Sequence, residues 1–119
     1  MQPSRQNNTD IKSLDLATFY VRGSAYGIDL LKIQEINKLL LLTPVPGAPA
    51  YVRGILNLRG QIVTVIDLGY KLGLPETRVN RKGRNIIVRS AGEHIGLVVE
   101  EISEVVRVNV DEVEAPPPI

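Results

Sequence analysis

Apolar positions in this chain come in short, β-rich runs broken by glycine, proline and polar clusters. Ile55 to Leu58 and Ile62 to Leu68 flank Arg59-Gly60, where a tight reversal is expected. Paired strands restrict a side chain at the rim of a hairpin, so Arg59 can be presented to a partner. Upstream, Ala17 to Val21 reads as a first strand, Gly23-Ser24 as a turn, and Tyr26 to Leu30 as its hairpin partner. Leu30, Ile33 and Ile36 fall three apart, which predicts a short helical turn with Gln34 and Glu35 off its apolar stripe. Leu39 to Leu42 reads as extended and leads into Pro44-Val-Pro-Gly-Ala-Pro49, whose prolines forbid helix and make a rigid connector.

Beyond the central hairpin, Leu68 to Leu74 can form a short helix with Gly73 near its end. Pro75 to Arg84 is polar and mostly basic, as expected of a surface loop. Asn85 to Ser90 is the next strand, Ala91-Gly92 a turn, and His94 to Val99 the return. Val106 to Val110 alternates valine with Arg107 and Asn109, the pattern of a half-buried strand. Residues 1–13 are polar and read as a flexible N-terminal arm, and Ala115 to Ile119 can only be extended or disordered. Many short strands with regular turn signals and little helix point to a small all-β barrel or sandwich.

Composition sharpens this picture. A chain of 119 residues fits one compact domain or two small lobes sharing a core. With one Phe and no Trp, that core must be built from Ile, Leu and Val, which favours strands. A net charge of +1 draws the chain neither to nucleic acid nor to anionic lipid. Arg78, Arg81, Lys82, Arg84 and Arg89 do cluster, ahead of an acidic stretch from Glu93 to Glu114. Solvated loops and outward strand faces account for both. The alternative is a small-barrel nucleic-acid binder, but such surfaces interleave aromatics for base stacking and this stretch has none.

The absence of cysteine excludes disulfides and thiolate metal sites. The polar start is no signal peptide, and runs such as Leu39 to Leu42 fall far short of the ~20 residues that span a bilayer. A soluble cytoplasmic protein without direct membrane insertion is expected. His94, the single histidine, follows a turn and reads as exposed. Ser24, Ser90 and Ser103 lack a nucleophile-elbow setting. Glu100-Glu101, as strand neighbours, would face opposite ways. No catalytic, metal-binding or cofactor-binding residue is therefore assigned, and a binding role is expected rather than an enzyme.

Four segments in order carry a resemblance. They are Tyr26-Gly-Ile-Asp-Leu-Leu-Lys-Ile-Gln-Glu-Ile36, Pro44-Val-Pro-Gly-Ala-Pro-Ala-Tyr-Val-Arg-Gly54, Ile55-Leu-Asn-Leu-Arg-Gly-Gln-Ile-Val-Thr-Val-Ile-Asp-Leu68 and Gly96-Leu-Val-Val-Glu-Glu-Ile-Ser-Glu-Val105. Together they resemble the CheW family of chemotaxis adaptors from about Phe19 onward. The resemblance implies an all-β fold of two small SH3-like β-barrel lobes sharing a hydrophobic core, with one or two short helices, over residues 14–119. It implies a non-catalytic adaptor, without cofactor, that joins the regulatory domain of the histidine kinase CheA to the cytoplasmic tips of chemoreceptors. Such an adaptor would be cytoplasmic and recruited to receptor arrays. The same module also occurs within larger kinases and adaptor–receiver proteins, so an excised regulatory domain is a further alternative.

Carried over by motif position, Glu35 and Arg59 resemble the family's acid–arginine pair near the receptor-facing surface. Ile33, Gly54 and Val105 match positions sensitive in coupling, and Asn57 and Leu58 belong to the same Asn-Leu-Arg-Gly signature. Each also has a plainer reading: an ion pair that only ties two segments together, core positions for Ile33 and Val105, and a strand bulge for Gly54. Two departures stand out. Thr64 replaces a common proline, and family members continue past the proline-rich point with a further strand and a closing helix. The domain is therefore expected to be C-terminally shortened, with an unpaired edge open to self-association.

Overall fold

The computed structural model describes residues 12–39, 41–74 and 80–112. Among the described residues, eight strands form two sheets. Strands β1 (Ser13–Val21), β2 (Ser24–Asp29) and β8 (Glu101–Asn109) make a three-stranded antiparallel sheet in the order β2-β1-β8. Strands β3 (Ile33–Lys38), β4 (Val52–Leu58), β5 (Gln61–Asp67), β6 (Arg84–Ser90) and β7 (Glu93–Val99) make a five-stranded sheet in the order β3-β6-β7-β5-β4. Among the described residues only the β5–β7 pair is parallel, and the connection between these two strands includes the four-residue helix α1 (Leu68–Lys71) and β6. The architecture is the all-β, two-lobed SH3-like arrangement that the resemblance implies.

Three hairpins fix the register. Arg22-Gly23, Arg59-Gly60 and Ala91-Gly92 each place both central residues at positive φ, with values of 52° and 80°, 52° and 86°, and 52° and 81°. Positive φ at both positions is the mark of a type I′ turn, whose twist matches that of the strands it joins. An Xaa-Gly pair between two apolar runs is therefore the local cause of each reversal.

Why the apolar runs are continuous rather than alternating follows from what covers the five-stranded sheet. One face carries Ile66, Ile86, Val88, Leu97 and Val99, packed with Leu68 of α1 on Phe19 and Val21 of the other sheet. The opposite face carries Val63, Val65, Ile87 and Val98, packed with Leu56 inside the second lobe. A sheet buried on both sides needs apolar residues at every position. At ~25 cal/mol per Å2, each fully buried Ile, Leu or Val adds about 1.5–3 kcal/mol to either core.

The structure corrects several expectations. The helical turn proposed from Leu30 to Ile36 is only a 3-10 turn, Leu30–Lys32, capped by Asp29 and followed by strand β3. The three-residue spacing has another cause: a bulge between Ile33 and Glu35 inserts one residue. As a result Ile33 opposite Val88 and Ile36 opposite Ile86 share a face. His94 is not an exposed turn residue; it lies half-buried in β7, its Nε2 without a partner among the described residues. The last strand begins at Glu101 rather than Val106, and Val110 belongs to a closing 3-10 turn. Ser13, assigned to the arm, opens β1. The rest of that arm up to Ile11, Leu40 of the extended run, positions 75–79 of the basic loop and the proline-rich end lie outside the described residues.

Candidate functional site: the tip of the central hairpin

The β4–β5 hairpin ends in Arg59-Gly60. Asn57 Oδ1 accepts a hydrogen bond from the Gly60 amide at 2.9 Å, which clamps the turn from below. Leu58 is half-buried against the second core and anchors the same strand end. Arg59 is thus held in a left-handed backbone conformation uncommon for a non-glycine residue, with its side chain outward and 72% exposed.

Across from the hairpin tip lies β3. The bulge after Ile33 turns Glu35 to the side of Ile87, the second-lobe face, while Ile33 packs against the first core. Glu35 then meets Arg59: guanidinium Nη2 donates to carboxylate Oε1. Its other oxygen, Oε2, accepts from Asn37 Nδ2 at 3.1 Å. The Arg59 hydrogen bond, and to a lesser degree that from Asn37, holds the Glu35 carboxyl below its usual range against the opposing effect of desolvation. What results is a charged, partly shielded acid bound on both oxygens, beneath an exposed guanidinium fork suited to an acceptor on a partner.

The remaining singled-out residues are placed elsewhere. Gly54 is buried in β4 at φ 147°, where the backbone of Thr43 lies against it. The added Cβ of any other residue would stand 2.7 Å from the Thr43 carbonyl oxygen and 2.9 Å from Leu42 Cβ. A register shift between Val52 and Gly54 marks a bulge at the same place, the plainer reading of this glycine. Val105 sits on β8 in the other sheet, opposite Ala17, and is 54% exposed. The structure therefore gathers Glu35, Asn57, Leu58 and Arg59 at one end of the second lobe, places Ile33 and Gly54 in the framework behind them, and leaves Val105 on a separate surface.

Two partners escaped the sequence reading. Asn37 completes the Glu35–Arg59 group, and its signal was the two-residue spacing that puts strand side chains on one face. Arg53 meets the buried Asp67 at 2.9 Å, while Asp67 Oδ1 also caps α1 by accepting from the Tyr70 amide at 3.1 Å. An aspartate directly before a short helical run was the available sign. In the basic cluster, Arg84 turns its guanidinium onto the carbonyls of Arg81 and Gly83, and Lys82 lies 3.9 Å from Glu101, so part of that charge is spent internally.

Comparison with known proteins agrees with this geometry. The family model for the CheW-like domain matches residues 15–119. The chain belongs to the CheW-like domain family. It is 35% identical over 102 residues to the chemotaxis protein CheW of Bacillus subtilis, covering 86% of this chain and 65% of that protein. To CheW of Treponema pallidum it is 32% identical over 112 residues, covering 91% of this chain and 66% of that one. The CheW-like chain thus spans just under two thirds of the length of these relatives. The crystal structure of the scaffolding protein TtCheW from Thermoanaerobacter tengcongensis superposes with a TM-score of 0.82 at 32% identity, covering 91% of this chain and 74% of that one.

Proposed function

We propose that this CheW-like chain is a non-catalytic adaptor that couples chemoreceptors to the regulatory domain of the histidine kinase CheA. The observation that carries the reading is the Glu35–Arg59 pair, displayed at a clamped hairpin tip in a chain of this family. Receptor tips would dock on the Arg59 fork, and the site residues Ile33, Glu35, Gly54, Asn57, Leu58 and Val105 would act directly or by supporting that surface. No helix among the described residues is long and apolar enough to cross a membrane. On this reading the adaptor reaches membrane-associated receptor arrays through its partners.

The test is a titration of the folded chain with a receptor cytoplasmic-tip fragment and, separately, with a CheA regulatory domain. Arg59→Asn is the informative variant, because an Asn-Gly pair keeps the type I′ turn while removing the guanidinium. It should weaken receptor binding at least tenfold and leave the chain folded, with stability within about 1 kcal/mol of wild type, since the better turn residue offsets the lost ion pair. No binding of either partner by the folded wild type would reject the proposal. The same reading assigns self-association to the outer edge of β8, which is terminal in its sheet among the described residues. Sedimentation as a clean monomer across micromolar concentrations would remove that element.

A further inference from the structure

Asn37 and Asn85 sit directly opposite one another on β3 and β6, on the face that lines the second lobe. Asn85 is 1% exposed, and neither Asn37 Oδ1 nor Asn85 Oδ1 has a hydrogen-bond partner among the described residues. Two amide carbonyls buried without partners lower stability relative to an apolar pair of similar shape. The Asn37 amide is nonetheless oriented by its neighbour. A carboxylate only accepts, so the NH2 group must face Glu35 Oε2 and the carbonyl must point away from it.

We propose that Asn37 is a positioning residue for receptor docking, which holds the Glu35 carboxylate by Oε2 so that Oε1 fixes the Arg59 guanidinium in its outward pose. This rests on the docking role proposed above for Arg59. The strand geometry supplies the mechanism. Two-residue spacing puts Glu35 and Asn37 on one face, the bulge after Ile33 turns that face to the second lobe, and Asn85 lies beside Asn37 on the neighbouring strand. Without the Asn37 hydrogen bond, the carboxylate can rotate and Arg59, attached by Nη2 alone, loses its fixed direction. A guanidinium whose orientation is set before the partner arrives binds with less ordering cost.

The experiment compares wild type with Asn37→Leu, Asn37→Asp and Arg59→Asn. For each, the Glu35 titration is followed by carboxyl 13C NMR, and affinities for the receptor-tip fragment and the kinase regulatory domain are measured beside the unfolding midpoint. Asn37→Leu should move the Glu35 midpoint upward and weaken receptor binding about tenfold. Kinase binding should stay within twofold, and the unfolding midpoint should not fall. Asn37→Asp should lose receptor binding at neutral pH and regain it on acidification, when the introduced carboxyl gains a proton to donate to Glu35. An unchanged Glu35 midpoint in Asn37→Leu, or receptor affinity within twofold of wild type, overturns the inference. Wild-type binding that is lost in Arg59→Asn but intact in Asn37→Leu overturns the role of Asn37 alone. No receptor binding by the wild type overturns the docking role and this inference with it.

Discussion

Gly54→Ala separates framework from contact more sharply than any other change in this molecule. Gly54 adopts φ 147°, and an added Cβ would approach the Thr43 carbonyl oxygen to 2.7 Å, far inside contact distance. Because that atom belongs to the backbone, the clash is relieved only by moving the 42–43 segment. Thr43 and Ile55 exchange two backbone hydrogen bonds of 2.9 Å, and the displacement breaks or stretches both. These contribute about 1 kcal/mol each. Strain at a φ that side chains rarely adopt adds about 1–3 kcal/mol. Leu42, packed against the second core, loses part of a burial worth about 1–2 kcal/mol. The sum is about 3–6 kcal/mol, a large share of the 5–15 kcal/mol typical of a domain this size. In urea, with a slope of about 2 kcal/mol per molar, the midpoint should drop by roughly 2 M. Receptor and kinase binding, measured where the variant is still folded, should fall together as the lobe loosens. Stability within about 0.5 kcal/mol of wild type would refute the reasoning. If receptor binding alone were lost in such a variant, Gly54 would be a contact residue.

Three further outcomes are expected. Ala91→Asn should stabilise the chain by about 0.5–1 kcal/mol, since Ala91 stands exposed at φ 52° in a type I′ turn that asparagine tolerates better; an unchanged or lowered melting temperature would count against it. Arg53→Met should destabilise by about 2–4 kcal/mol, somewhat below the usual cost of breaking a buried pair because Arg53 is itself 29% exposed and Asp67 keeps its Tyr70 amide; chemical denaturation reads the value. Asp15, through Arg107, and Glu35, through Arg59, both have lowered carboxyl pKa values in the folded chain. Between lowered and ordinary values the unfolded chain binds more protons, so their stabilisation is complete above the ordinary values of 3.8 and 4.5 and fades as pH falls through the folded ones. Acid unfolding of an Asp15→Asn, Glu35→Gln double variant should show a shallower pH slope below pH 4.5; an identical slope would refute the assignment.

Much of the fold was legible because its rules are local. Arg59-Gly60 and Ala91-Gly92 announced their hairpins, and continuous runs such as Ile62 to Leu68 announced strands. The first turn, read at Gly23-Ser24, is instead made by Arg22-Gly23, with Ser24 already in β2. What misled was the bulge after Ile33. It places Ile33 and Ile36 on one face of a strand with the three-residue spacing of a helix, and no local propensity distinguishes the two over so short a stretch. Pairing with β6 decides it. The Glu35–Arg59 pair came from motif resemblance, since residues 24 apart carry no local sign of meeting. The Arg53–Asp67 pair stayed hidden for the same reason, since partner choice across strands is settled by which strands lie side by side, whereas Asn37 offered only its two-residue spacing from Glu35. The basic stretch read as solvated loops and outward strand faces, but that Arg84 turns onto backbone carbonyls and Lys82 approaches Glu101 depends on the folded neighbours.

The five-stranded sheet has a consequence for how this molecule can carry force. Neighbouring residues of β6, Ile86 and Ile87, are rooted in opposite hydrophobic interiors, as are Leu97 and Val98 of β7. Neither half can melt without tearing open the wall that the other leans on, so heating should give one sharp transition, and the amides of β6 and β7 should be the last to exchange with heavy water. A body with no internal seam shifts as a unit. A push delivered at the hairpin tip would then arrive at the far lobe as displacement instead of being absorbed on the way.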